Sequence, residues 1–125
     1  MRLILLVGAG GFLGAVARYL VGGWVQRLLP AAFPYGTLAV NVVGSLLLGA
    51  VYELGTARGA LDPQLRLMLG VGVLGAFTTF STFSLETLNL LREGSVFMAG
   101  TNVLTNVLVC LAAVWLGVTL VRVMG

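Results

Sequence analysis

The sequence has no histidine, no lysine and a single cysteine, Cys110, so the side chains that most often bind metals or act as nucleophiles are almost missing. We therefore predict no transition-metal cluster, no disulfide and no catalytic thiol. Charge is scarce as well: seven arginines stand against four acidic residues, and the net charge of +3 is too sparse for a nucleic-acid surface. These absences argue against an enzyme and against a nucleic-acid-binding protein.

Apolar residues are abundant, since 59% of the chain is hydrophobic and the mean hydropathy is +1.08. A helix needs about 20 apolar residues to cross a bilayer, and the sequence offers four such windows, at residues 3–25, 35–54, 64–91 and 96–121. The pattern predicts an all-α, multi-pass protein of the cell (inner) membrane, with a single four-helix transmembrane domain over residues 1–125. One bundle of this size has little interior, so we expect an oligomer.

Hydroxyls, aromatic rings and a carboxylate are concentrated in residues 75–86, which read GAFTTFSTFSLE. Threonine and serine side chains compete with helical hydrogen bonds and Gly75 adds backbone freedom, so the third helix is predicted to break between Gly75 and Thr79. At membrane depth, the backbone groups freed by such a break indicate an ion site. Beyond the break, Phe80, Phe83 and Glu86 recur at three-residue spacing and are predicted to share one helix face.

Two other spans carry polar side chains at every fourth position. These are Thr37, Asn41 and Ser45 in the second span and Asn102, Asn106 and Cys110 in the fourth. The spacing places each set on one face of its helix. Such residues either join helices by hydrogen bonds or line a polar route, and the presence of companions on the same face favours the route.

The first helix opens with a glycine-rich string, GAGGFLG at residues 8–14, which also fits the phosphate-binding fingerprint of nucleotide-binding folds. That fingerprint needs a strand before it and an acidic residue about 20 positions on, and the sequence supplies neither. We instead interpret Gly10 and Gly14 as a GxxxG pair that lets helices approach closely. For Arg18, farther along, two roles are open: a side chain that reaches the membrane surface, or one that attracts anions into a vestibule.

Three blocks together resemble the Fluc family of fluoride channels, also called CrcB: GGFLGAVARY at 10–19, GTLAVNVVGS at 36–45, and residues 75–86. The resemblance implies four helices per subunit with a broken third helix, assembled as an antiparallel, dual-topology homodimer. It also implies two separate fluoride routes and one central structural sodium ion. On this basis we expect a passive, fluoride-selective channel that exports fluoride to lower its cytoplasmic concentration.

The resemblance also assigns residues. Phe80 and Phe83 match the family's pore phenylalanines and Asn41 its pore asparagine, while the backbone carbonyls of Gly75 and Thr78 match the sodium ligands. The predicted fluoride pathway comprises Arg18, Asn41, Phe80, Ser81, Thr82, Phe83, Glu86, Asn102 and Asn106. Asn102 and Asn106 depart from the family pattern, because relatives often carry tyrosine and serine hydroxyls in this helix.

The chemistry of these residues suits a small, strongly hydrated anion. Removing the hydration shell of an ion in an apolar core costs on the order of tens of kcal/mol unless donors replace the water. Side-chain amides and hydroxyls are such donors, and the edge of a phenyl ring carries the positive part of its quadrupole. Neutral groups also release the ion again, as conduction requires. The alternative for Phe80 and Phe83 is ordinary core packing.

Two rival interpretations remain open. A proton-coupled efflux transporter resembling the small multidrug resistance family would need a titratable acid inside the membrane, and only Glu86 could serve. A non-transporting scaffold would have no reason to place polar stripes at membrane depth. For Glu86, a role in passing the anion or holding its neighbours and a purely structural role are both open.

Charge counting predicts the orientation. One side of the membrane collects Arg2, Arg58, Arg66 and Arg122, and the other collects Arg18, Arg27 and Arg92. Four against three is almost no bias, whereas the positive-inside rule depends on an excess of basic residues on one side. The chain is therefore expected to insert both ways, so that opposed copies pair about a two-fold axis in the membrane plane.

Overall fold

A computed structural model describes residues 1–125, and every regular element in it is a helix. We number the helices α1 (Arg2–Leu28), α2 (Tyr35–Thr56), α3 (residues 63–77), α4 (Phe80–Arg92) and α5 (Val96–Met124). Together, α3 and α4 form the third span, Pro63–Arg92. All four spans are long and apolar enough to cross a membrane, which confirms the predicted all-α, four-span architecture.

The third span breaks at Thr78 and Thr79, whose backbones are extended, with φ/ψ of −85°/157° and −151°/111°. The helix thus ends at Phe77 and restarts at Phe80, where the Thr79 hydroxyl accepts a hydrogen bond from Thr82 N–H. The observed break lies within the predicted stretch, Gly75 to Thr79. It does not start at Gly75, because Gly75 is helical at φ −61° and ψ −35°. The hydroxyl-bearing residues, rather than the glycine, interrupt the helix.

Two spans contain π-helical turns that the sequence did not predict. One covers Met68–Leu74 in α3, and the other covers Thr105–Val109 in α5, around the polar residue Asn106. A π turn adds a residue to the helical repeat and so rotates the side chains that follow it; such turns are frequent at functional sites. The polar face of α5 is therefore not that of a regular α-helix.

Glycines bring α1 and α3 into backbone contact. A methyl group on Gly10 would lie 2.7 Å from the Met68 carbonyl oxygen, and one on Gly14 would collide with the Val73 carbonyl. The close approach predicted for the GxxxG pair is thereby confirmed, and its partner is α3 of the same chain. The α2–α5 contact is built similarly, with Gly49 against Val114.

An ion pair joins α2 and α5 at one end of the bundle. Glu53, at the end of α2, is buried and accepts hydrogen bonds from Arg122 of α5, with Nε to Oε1 at 2.9 Å and Nη2 to Oε2 at 3.3 Å. Arg58 donates to the Arg122 carbonyl oxygen at 3.1 Å, and the side chain of Arg66 packs against Gly55. Three of the four arginines expected on one side therefore lie together at this end.

Candidate functional site

One side chain, Asn41 of α2, forms hydrogen bonds with the backbone at the break in the third span. Its Oδ1 accepts the Thr79 N–H at 2.7 Å, and its Nδ2 donates to the Thr79 carbonyl at 3.2 Å. The two backbone groups that the extended residue exposes are both satisfied by this amide, which is itself buried. Asn41 is therefore the residue that allows the chain to leave the helix at this depth.

From Asn41, hydrogen bonds continue across α5. Asn41 Nδ2 donates to Asn106 Oδ1 at 3.0 Å, and Asn106 Nδ2 donates to Asn102 Oδ1 at 2.9 Å. Asn102 Nδ2 then donates to the Thr87 hydroxyl at 2.9 Å, and this hydroxyl donates to the Phe83 carbonyl at 2.8 Å. We call Asn41, Asn106, Asn102 and Thr87 the amide chain. At both ends it bonds the backbone of the third span, at Thr79 through Asn41 and at Phe83 through Thr87.

A cavity of about 370 Å³ lies beside the break and is lined by Asn41, Asn106, Phe80 and Phe83. The ring centroids of Phe80 and Phe83 are 5.3 Å apart and their planes are tilted by 56°, so the rings are not stacked. Phe83 is buried, whereas Phe80 is 76% exposed on the outside of the subunit. Ser45 and Cys110 line the same cavity, which joins the polar faces of α2 and α5.

Glu86 lies at a second place. Thr37 donates to Glu86 Oε1 at 2.8 Å, and the buried Oε2 has no hydrogen-bond partner. Glu86 lines two smaller cavities, of about 300 and 260 Å³, and the latter is shared with Arg18 and Thr82. Phe80, Phe83 and Glu86, which were predicted to share one helix face, therefore do not share one cavity, because the Glu86 carboxylate does not line the cavity of the rings. Thr79 connects the two places, because it lines both the ring cavity and the one shared with Arg18.

Arg18 lies in the body of α1 rather than at its end. Its Nε donates to the carbonyl of Ala76 at 3.0 Å, so the guanidinium binds the last turn before the break. Neither of the two predicted roles included this contact.

The predicted residues separate into three groups in the structure. Asn41, Phe80, Phe83 and Asn106 share the ring cavity; Arg18, Thr82 and Glu86 share the smaller one. Ser81 is exposed and lies 3.4 Å from the Thr79 hydroxyl, and Asn102 is fully buried, with 0% exposure, and lines none of the three cavities described. The place of each of these residues in a fluoride pathway stays a prediction.

The predicted fluoride pathway did not include Thr37, Thr79 or Thr87, although the step of four put Thr37 on the polar face of Asn41. The same step relates Thr79, Phe83 and Thr87 in the third span. It did not identify the hydrogen-bond partners of Thr79 and Thr87, which lie 38 and 15 residues away along the chain.

Two carbonyls near the break have lost their helical donors. The Thr79 N–H, which would bond the Gly75 carbonyl in a continuous helix, instead goes to Asn41 Oδ1. The Thr78 carbonyl accepts no hydrogen bond within the subunit. No group of three His, Cys, Asp or Glu side chains is placed to hold a metal ion.

Four apolar spans that enclose buried side-chain amides and border a cavity define a multi-pass membrane protein. The family model described as "CrcB-like protein, Camphor Resistance (CrcB)" matches residues 5–118. The chain belongs to this family, as predicted. The family is one of ion channels, not of enzymes.

Similar proteins named "Fluoride-specific ion channel FluC" match over nearly the whole chain. The relative from Geotalea daltonii is 47% identical over 122 residues, covering 98% of both chains. That from Geobacter sulfurreducens is 48% identical with the same coverage. The relative from Syntrophotalea carbinolica is 51% identical over 112 residues, which is 90% of this chain and 91% of its own.

Proposed function

We propose that the protein is a passive, fluoride-selective channel that exports fluoride and so lowers its cytoplasmic concentration. The observation that carries this proposal is the ring cavity: amide groups and two phenylalanine rings face it, without a charged side chain. Relatives named for fluoride channels match 98% of the chain, which supports fluoride as the ion.

Selectivity and release both follow from neutral groups. A fixed cation in the cavity would hold fluoride too tightly to conduct, whereas amide N–H groups and ring edges bind it and let it go. In the subunit both N–H groups of Asn41 are occupied, by the Thr79 carbonyl and by Asn106 Oδ1. An anion at Asn41 therefore replaces one of these acceptors rather than filling an empty donor, which keeps its binding weak.

Arg18 and Glu86 form the entrance side of the proposed route. Thr82 and Thr37 supply hydroxyls around them, and Thr79 leads from this cavity to the rings. The guanidinium of Arg18 is held by the Ala76 carbonyl, so its charge draws anions toward the entrance while remaining tied to the backbone. Asn106, which lines the ring cavity, extends the route to α5.

A structural sodium ion fits the residues at the break. The carbonyls of Gly75 and Thr78 would hold it, because both have lost a helical donor and hard cations prefer oxygen ligands. Two carbonyls are too few for one subunit alone, so a second copy would supply the others. The ion would fix the two breaks against each other.

The functional unit is proposed to be an antiparallel homodimer with two routes. Phe80 lines the cavity and is nonetheless largely exposed, so a partner is needed to enclose it. The near-equal arginine counts on the two sides support insertion in both orientations. A two-fold axis in the membrane plane would bring the two breaks together and repeat the route on each side.

Anion efflux from liposomes tests the proposed function. Purified protein reconstituted in vesicles loaded with equal fluoride and chloride should release fluoride and retain chloride, with proton and sodium gradients absent. Release that requires an imposed proton or sodium gradient, or equal release of both anions, would contradict a passive selective channel.

The proposed dimer is tested by fixing the orientation of the chain in the membrane. Extra arginines on one terminus should lock the chain in one orientation and abolish flux, and a second population locked oppositely should restore it. Full conduction by one locked population alone would show that opposed copies are not needed.

A further inference from the structure

The amide chain has one direction, which backbone groups impose at both ends. The Thr79 N–H can only donate, so it fixes Oδ1 of Asn41 toward itself and turns Nδ2 toward Asn106. At the other end the Phe83 carbonyl can only accept, so the Thr87 hydroxyl donates to it and receives from Asn102. Every bond between these ends therefore runs from Asn41 to Thr87.

Asn102, between Asn106 and Thr87, keeps the same direction of hydrogen bonding. Its Oδ1 and its carbonyl oxygen both accept from Asn106 Nδ2 at 2.9 Å, while its own Nδ2 donates to Thr87. The side chain has 0% exposure and lines none of the three cavities, so an ion in the ring cavity does not reach it. Its effect on the ion must pass through Asn106, which does line that cavity.

We propose that Asn102 is a positioning residue for conduction: by orienting the Asn106 amide, it keeps the Asn106 oxygen on Asn41 and so sets how readily Asn41 gives an N–H to the ion. This inference rests on the proposed channel function. Chains of aligned hydrogen bonds polarise one another, so the loss of one bond weakens its neighbours. Without the Asn102 side chain, Asn106 Nδ2 has one acceptor, the residue-102 carbonyl, instead of two, and its amide is held less firmly toward Asn41.

A double-mutant cycle separates this role from direct ion contact. Asn102→Leu, Asn106→Leu and the double variant are reconstituted, and fluoride efflux is measured over a range of fluoride concentrations. Asn102→Leu should lower flux about tenfold, the size expected for one buried neutral hydrogen bond. In the Asn106→Leu background it should have no further effect, because the residue through which it acts is gone.

The concentration dependence is the second readout. A variant that merely reduced the amount of folded protein would lower the maximal flux alone, whereas a positioning role also shifts the half-saturating fluoride concentration. Thr101→Val is the matched control: it lies beside Asn102, its hydroxyl donates only to the Phe97 carbonyl of its own helix, and both readouts should stay at the wild-type values.

If Asn102→Leu fails to fold, Thr87→Val provides the test, since it removes the acceptor of Asn102 with little change of shape. It should lower flux severalfold and shift half-saturation, again only while Asn106 is present. Multiplying effects of Asn102→Leu and Asn106→Leu, or wild-type values for Thr87→Val, would overturn the proposal. Wild-type protein that moves no fluoride would instead overturn the proposed function, and this inference with it.

Discussion

The two halves of the third span pack by different chemistry. Before the break, α3 lies against α1 through glycine and backbone, with Gly10 and Gly14 against residues 68–73. After the break, α4 is joined to α2 and α5 through hydrogen-bonded side chains and borders a cavity. A dry glycine contact is a rigid support, whereas exchangeable amides beside a cavity can bind and release an ion. We infer that α3 supports the site and α4 carries it.

The largest expected effect lies in α4. Replacing Phe80 or Phe83 by isoleucine keeps bulk but removes the ring edge, and each change should slow fluoride efflux about thirtyfold, taking about 2 kcal/mol for one lost polar contact to a charged group. The amount of folded protein should not change. Phe97→Ile is the control, because Phe97 is exposed on α5 and lines none of the three cavities. Normal flux in a folded Phe80→Ile, Phe83→Ile protein would remove the rings from the mechanism.

The next effect lies in α1 and concerns stability rather than flux. A methyl group at Gly14 collides with the Val73 carbonyl, so Gly14→Ala should destabilise the protein by about 1–3 kcal/mol, as overpacking does. Flux per folded protein should not change. Gly8→Ala is matched on the same helix, where a methyl group meets nothing within 4 Å, and its thermal midpoint in detergent should equal that of the wild type.

Glu86 should give a smaller change in flux. Glu86→Gln is expected to lower fluoride efflux severalfold, and Thr37→Val, which removes the donor to Oε1, should shift it in the same direction. Efflux is measured at several pH values for each. Flux equal to wild type throughout the pH range in Glu86→Gln would leave this residue only a structural role.

The smallest effect on flux is expected at the end of the bundle. Glu53→Gln breaks the ion pair with Arg122, and neither residue lines the ring cavity; the change should lower the thermal midpoint slightly, because the guanidinium is exposed and can be rehydrated. Adding Arg122→Gln should recover part of the loss. A fall in flux per folded Glu53→Gln protein would show that the ends of α2 and α5 also take part in conduction.

Much of this arrangement could be predicted from local patterns. Apolar windows gave the four spans, and the hydroxyls of residues 78–82 indicated the break. The position of the break could not be predicted from Gly75, because it depends on Asn41 binding both backbone groups of Thr79. That contact joins residues 38 positions apart, and no local rule supplies it.

The hydrogen bonds of the amide chain could not be predicted from the sequence either, because they also join separate helices. The step of four between Asn102 and Asn106 predicted a shared face, and the two do bond, but a π turn at Thr105–Val109 changes the helix there. Which polar residue faces the cavity and which is buried beneath it then depends on packing against α4. The same spacing therefore described a cavity residue and a fully buried one alike.

The most direct test measures flux and stability together in two variants, Phe80→Ile after the break and Gly14→Ala against the helix before it. The account predicts that Phe80→Ile keeps the wild-type thermal midpoint and loses most fluoride efflux per folded protein, while Gly14→Ala lowers the midpoint and keeps the efflux. The reverse pattern, or a loss of both properties in both variants, would contradict the division of the third span into a supporting half and a conducting half.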